Sequence, residues 1–375
     1  MQNPFKPTFG VSPPLLVGRD EMVEEFRDAI EDGPGAPGRA TIYTGPRGVG
    51  KTVMLNKVQA LALEQGWIVI SETATPGFLA RLVNQHLPAL LSEFDPNAKT
   101  TKMSGLTAPM GLGATTWTNT DKYPIQRGFR NQITQLADLL AANGTGVLIS
   151  LDEIHYQQID ELREFGATIQ HLFREEKEVA FVGAGLPSAV SDVLNDSVLT
   201  FLHRAERFTL GPVSLDLVSS AISKPIQDGG RSINSKVCDK ATEATGGYPF
   251  LIQLVGYYIW KANQLSPTIS LNDAEKGIAK AHRKMGSLIY EPTLASTSDI
   301  GRTFLSAMAQ DEGSSNVSDI ASRLKVSAQY IGQYRARLID AGLIKNAGWG
   351  KVDFVLPDLR KYLQEHAVTT YGMTL

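Results

Sequence analysis

The stretch ATIYTGPRGVGKTVML, residues 40–55, decides how the rest of the chain is read. Its first five residues are β-branched, aromatic and largely apolar without alternation, as a strand covered on both faces of a parallel sheet must be. Its last residues begin a helix that sets Met54, Val58 and Leu61 on one face, with Gly66 placed to end it. Between the two lies GPRGVGKT, with three glycines and one lysine in the spacing Gly45-x4-Gly50-Lys51-Thr52. Glycine keeps side chains out of the way and makes unusual φ angles cheap, so backbone N–H groups can turn inward together. The helix start adds unpaired N–H groups and the positive end of its dipole. The ligand that fits is a polyphosphate. Gly45, Pro46, Arg47, Gly48, Val49, Gly50, Lys51, Thr52 and Val53 are expected around it, Lys51 reaching the β- and γ-phosphates and Thr52 offering its hydroxyl to Mg2+.

Working outward, WIVIS (67–71), GVLISL (146–151) and VAFVGA (179–184) read as three more buried strands, and helical patterns separate them. One such pattern, 78–94, carries Pro88, which predicts a kink. Strands alternating with helices imply a parallel sheet covered on both sides. GVLISLDEIH ends its strand on Asp152-Glu153, and a parallel strand delivers its last residues to the same sheet edge as the phosphate loop. Asp152 is expected to hold Mg2+ or its water, and Glu153 to act as general base on the attacking water.

These features resemble the AAA+ and STAND classes of P-loop ATPases, on the archaeal-type side, with a more distant likeness to origin-recognition initiators. The segment VGRDEMVEEF (17–26) carries the resemblance, together with GGYP (246–249) ahead of the apolar helix FLIQLVGYYIW. The resemblance implies that Val17, Gly18 and Arg19 border the adenine, that Pro249 meets the nucleotide from a helical lid, and that ATP with Mg2+ is bound. FLHRAERFTLGPVS (201–214) is similar to the segment that closes the core in these families, which implies an arginine-finger or sensing role for Arg204, with Arg207 the competitor. Two departures stand against an initiator. VAFVGAGLP ends in Gly183, Ala184 and Gly185 where AAA+ enzymes usually carry a polar sensor, and the helix after Pro249 has no arginine in its first turns. No guanine-reading Asn/Thr-Lys-x-Asp motif is present.

The C-terminal residues read as another unit. DIGRTFLSAMAQ, NVSDIASRLKVS and AQYIGQYRARLIDAGLI are three helices, and LIKNAGWGKVDFVL is a pair of short strands around Gly348-Trp349-Gly350. That order is a winged helix-turn-helix, closed by PDLRKYLQEH. With Ile331 and Leu338 turned inward, Gln329, Tyr330, Gln333, Tyr334 and Arg337 face out, joined at the hairpin by Trp349 and Lys351. These side chains suit double-stranded DNA. Residues 323–351 hold six cations against the single acid Asp340. A surface for protein contacts is the other reading.

The expected fold class is therefore α/β: a P-loop ATPase core with a parallel sheet, a helical lid domain and a C-terminal winged helix-turn-helix. The domains are expected at 1–16 (a surface arm), 17–212 (the core), 213–290 (an all-helical lid) and 298–375. Residues 98–125, rich in Thr and Gly, are expected to be an insertion loop or hairpin, or a partner-touching element anchored by Trp117. A length of 375 residues suits such a division. Net charge −3 excludes polyanion binding by bulk charge but not by a local patch. The lone Cys238 excludes an intramolecular disulfide and a cysteine-built metal cluster. MQNPFKPTFG lacks a signal-peptide layout, and the longest apolar run, 248–260, is too short to cross a bilayer. The expectation is a cytoplasmic, homo-oligomeric ATPase, or alternatively a non-enzymatic, ATP-dependent signalling or regulatory adaptor that uses the winged helix for protein contacts.

Overall fold

A computed structural model of the chain describes residues 2–8, 10–95, 128–197 and 199–370. The insertion expected at 98–125, with Trp117, lies outside them. Five strands form the central sheet: β1 (Ala40–Thr44), β2 (Ile68–Thr73), β3 (Val147–Asp152), β4 (Val179–Gly185) and β5 (Glu206–Thr209). All pairings are parallel and the order is β2–β3–β4–β1–β5, so the strand before the phosphate loop lies inside the sheet. β5 was not evident in the sequence. It has four residues, and their burial alternates at the sheet edge.

The strands bury both faces because each alternates between two cores. On one side Tyr43, Leu148, Ala180 and Val182 pack with α1 (Asp20–Glu31) and α2 (Lys51–Glu64). On the other, Ile42, Ile70, Val147, Ile149 and Phe181 pack with α3 (Phe78–Arg81), α4 (Leu87–Phe94), α5 (Phe129–Ala141), α6 (Ile159–Arg174) and α7 (Pro187–Leu194). Phe165 anchors that second core, with ring contacts of 6.0, 5.6 and 5.4 Å to Phe78, Phe129 and Phe181. Buried Arg39 secures the first. It donates to the carbonyls of Ala29 and Ile30 at the end of α1, pairs with Glu178 at 2.7 Å, and stacks over Trp67. The carbonyls it satisfies are ones a helix end leaves without internal partners.

Pro88 acts as expected, through a specific device. Helix 78–94 opens into a π-turn at Leu82–His86, just ahead of the proline. A residue without an N–H cannot continue the i→i−4 ladder, and the wider turn absorbs the loss. The same pairing recurs at Gly286–Tyr290 ahead of Pro292.

Next come α8 (Leu215–Asp228), α9 (Ser235–Glu243), α10 (Pro249–Ala262), α11 (Leu271–Met285) and α12 (Glu291–Ala295). This stretch is not purely helical: β6 (Ser232–Ile233) pairs in parallel with β7 (Thr268–Ile269). Beyond it, α13 (Asp299–Met308), β8 (Ser315–Asn316), α14 (Val317–Leu324), α15 (Ala328–Asp340), β9 (Ile344–Asn346), β10 (Lys351–Phe354) and α16 (Leu359–Thr370) complete the described chain. β8, β10 and β9 form a three-stranded antiparallel sheet in that order, one strand more than the sequence suggested. Ile331 and Leu338 of α15 are buried as expected.

The N-terminal arm does not lie loosely on the surface. Phe5 is 2% exposed and sits so close to Gly256 of α10 that a Cβ there would approach its ring to 2.3 Å. Asn3 donates to the Tyr257 carbonyl, the Lys6 N–H donates to Gln253 Oε1, and Asn56 of α2 donates to the Gly10 carbonyl at 2.8 Å. The arm thus bridges α10 and α2.

Candidate active site

The loop Gly45–Gly50 joins β1 to α2 at the carboxyl edge of the sheet. Gly45, Gly48 and Gly50 have φ of 152°, 78° and 95°. The last is left-handed and caps α2, whose first N–H groups receive no side-chain cap. Close packing also demands glycine at Gly45, where a Cβ would meet the Leu210 carbonyl oxygen at 2.6 Å. The Lys51 ammonium donates to the carbonyls of Gly45 and Pro46, both at 2.8 Å, so it spans the loop it follows. Burial pushes its pKa down to about 8. Asp152 opposes that shift, Arg47 adds to it, and Glu153 opposes it.

β3 brings Asp152 to the same place. The Thr52 hydroxyl donates to Asp152 Oδ2 at 2.6 Å, across 100 residues of sequence. The other carboxylate oxygen accepts the N–H of Glu153 at 2.8 Å. Glu153 itself is exposed and has φ of 56°, a left-handed conformation that costs a non-glycine residue about 1–3 kcal/mol. The strand therefore breaks sharply after Asp152, and Ile154 turns back to donate to the Ala184 carbonyl at 2.8 Å. That turn explains the small residues ending β4. A Cβ on Gly185 would meet the Ile154 carbonyl oxygen at 2.7 Å, and one on Gly183 would meet the Ile154 side chain at 2.5 Å. A polar sensor has no room there.

A cavity of about 670 Å³ opens over these groups. Arg47 through Val53, Asp152, Glu153, Val17, Arg19 and Pro249 all line it. Gly18 is turned away, against Leu217 and Val213, and Gly45 contributes its carbonyl to Lys51. Arg19 is buried, which pulls its pKa down, and donates to the Gly211 carbonyl. The start of α10 reaches the loop directly: the Phe250 N–H donates to the Gly48 carbonyl at 3.1 Å, and the buried Tyr248 hydroxyl donates to that of Arg47. Gly247 packs on Val213, its carbonyl accepting the Val213 N–H at 2.8 Å. His155 also lines the cavity. So do Lys6, Thr8, Gly10 and Val11 of the arm, which no local motif marks.

The glycine cradle and the uncapped helix start fit a polyphosphate, and the size suits a nucleotide. The Thr52–Asp152 pair offers two oxygens to Mg2+, an ion that usually takes its other ligands from phosphate and water. Among the described residues no cluster of three or more His, Cys, Asp or Glu side chains forms a self-sufficient metal site.

Arg204 stands apart. It is exposed, in a short helical turn at Thr200–Arg204, and does not line the cavity. Of the residues expected to face DNA, Gln329, Tyr330, Gln333, Trp349 and Lys351 are exposed. Arg337 is exposed as well and Tyr334 half-buried, and both line a smaller cavity against the phosphate loop, where Gly342 also approaches Pro46. The local excess of positive charge is smaller than the window 323–351 suggests, because Arg323 pairs with Asp311 and holds that carboxylate below its usual range.

Fold and site together define a P-loop nucleotide-binding α/β protein. The comparisons narrow the class. Residues 15–182 match the family described as an AAA ATPase domain, and residues 287–363 match one described as a domain of unknown function. No curated protein matches the chain. Among solved structures it is similar to the Walker-type ATPase of Pyrococcus abyssi, at 16% identity and a TM-score of 0.64, covering 93% of this chain and 96% of that one. It is also similar to the ORC2 protein of Aeropyrum pernix in its ADPNP-ADP complexes, at 13% identity and a TM-score of 0.62, covering 96% and 95%. At such identities the likeness is one of fold. No helix among the described residues is long and apolar enough to cross a membrane.

Proposed function

We propose that the protein binds ATP with Mg2+ and hydrolyses it, as a cytoplasmic AAA+/STAND-like ATPase whose nucleotide state governs assembly and a C-terminal winged helix. The observation that carries this reading is the 2.6 Å hydrogen bond between Thr52 and Asp152, which draws the phosphate loop and the acid pair into one cavity with Lys51. The nucleotide-bound ORC2 protein of similar fold supports the choice of adenine.

In this reading the amides of Gly48 to Thr52 hold the β- and γ-phosphates. Lys51 leaves the Gly45 and Pro46 carbonyls to neutralise the charge that builds on the γ-phosphate. Thr52 and Asp152 would hold Mg2+, which would supply further charge neutralisation. Asp152 fixes the Glu153 backbone, and Glu153 lines the cavity. Glu153 takes the proton of the attacking water. Arg204, exposed and outside its own cavity, completes the site of a neighbouring copy. Val17, Arg19 and the arm enclose the base.

Glu153→Gln is the test. The amide keeps the shape and loses the base, so turnover is expected to fall about 10²- to 10⁴-fold with ATP affinity kept within a few-fold. Unchanged turnover would remove Glu153 from the mechanism.

The DNA-facing role rests on the exposed Gln329, Tyr330, Gln333, Arg337, Trp349 and Lys351. A protein-contact role has one observation in its favour: Tyr334 and Arg337 face the ATPase core. Affinity for a DNA duplex at two salt concentrations separates the readings, since phosphate contacts weaken steeply with salt.

A further inference from the structure

A second cavity, of about 220 Å³, lies where the phosphate loop, the first turn of α7, the α12–α13 turn and α15 meet. Its chemistry is one-sided. Arg47 and Arg337 both line it, and none of its lining residues is acidic. Among the described residues neither guanidinium has a carboxylate partner; Arg337 rests over the Tyr334 ring at 5.3 Å. Thr293, 8% exposed, lines the same space with its Oγ1 buried and unpartnered. A buried hydroxyl without a partner costs roughly 1–3 kcal/mol, and one in the wall of a cavity that also presents two exposed, unpaired guanidiniums favours an acceptor there. Two helices also begin at the cavity wall, α7 at Pro187 and α13 after its cap Ser298. Leu186, Leu338, Leu343 and Leu356 give the remaining wall an apolar character.

We infer that this cavity is a binding site for a small phosphorylated compound of the phosphomonoester class. Its phosphate lies between Arg47 and Arg337 and accepts the Thr293 hydroxyl, and a compact apolar body meets the leucine wall. The cavity has about a third of the volume of the nucleotide site, too little for a second nucleoside triphosphate. Arg47 lines both cavities. An occupant would therefore hold the face of α15 that carries Tyr334 and Arg337 against the loop that cradles the first ligand. The site does not depend on what the larger cavity binds.

Phenyl phosphate and inorganic phosphate, titrated by calorimetry into the full chain, test it. Phosphate taken up by the larger cavity is lost in Lys51→Ala. Uptake by the smaller cavity survives Lys51→Ala and weakens about tenfold or more in Arg337→Gln, the effect of one charge-assisted contact. Thr293→Val, which swaps the hydroxyl for a methyl of the same shape, is expected to weaken it as well, with the melting temperature unchanged or raised, because the unpartnered hydroxyl is gone. Phenyl phosphate binding more tightly than inorganic phosphate assigns the apolar wall to the ligand. Equal affinities would overturn the phosphomonoester class. Uptake abolished by Lys51→Ala, uptake indifferent to both Arg337→Gln and Thr293→Val, or no uptake of either compound at about 1 mM would overturn the site.

Discussion

Lys51 shows how burial tunes one residue for anion capture. Enclosed by its own loop, its ammonium titrates near 8 rather than in the usual lysine range. A bound triphosphate adds negative charge beside it and raises that value again, so binding above about pH 8 must draw a proton from solvent. ATP affinity is then expected to hold up to about pH 8 and to fall as pH rises further, by at most tenfold per pH unit for one proton. Calorimetry between pH 7 and 9.5 checks this, and affinity independent of pH over that span would mean Lys51 stays charged throughout. That Lys51, Thr52, Asp152 and Glu153 come together at one sheet edge was legible in the sequence, because the loop's residue types follow a fixed local spacing and a parallel strand ends at the same edge. The left-handed φ of Glu153 was not. It follows from Ile154 turning back onto β4, a contact set by glycines some 30 residues away.

At the level of elements, the readable parts were those whose cause is local. The four apolar strands, the helix breaks around Pro88 and the buried face of α15 each follow from a short period or a single residue. The edge strand β5 was too short to carry a period. The docking of the arm depends on Gly256, some 250 residues downstream, where the missing side chain leaves a socket for Phe5. The same arm residues that follow Phe5 form a wall of the nucleotide cavity. Phe5→Ala is therefore expected to release the arm, expose residues 2–16 to protease and weaken ATP binding, while the sheet stays folded. Cleavage patterns and a calorimetric titration on one sample measure both effects. An arm as resistant as before would show that the Asn3, Lys6 and Gly10 hydrogen bonds suffice to hold it.

For the whole molecule, the arrangement is one of surfaces meeting around the phosphate loop. The start of α10 touches it through Tyr248 and Phe250, the C-terminal residues approach it at Pro46, and the arm lines the cavity. A ligand there bears on each of these. Arg204, exposed and away from its own cavity, suits a neighbour's site. A non-hydrolysable ATP analogue is expected to increase the assembly state seen in gel filtration, and Arg204→Ala to abolish that increase without loss of nucleotide binding. An elution position indifferent to the analogue would leave the ATPase acting as single copies. Underneath all of this stands the cradle itself, and its occupancy is the most direct measurement: ATP titrated into the purified chain with and without Mg2+, alongside Lys51→Ala. The expected result is magnesium-dependent binding of one ATP per chain that is lost in the variant; heat from neither protein, or equal heat from both, would contradict it.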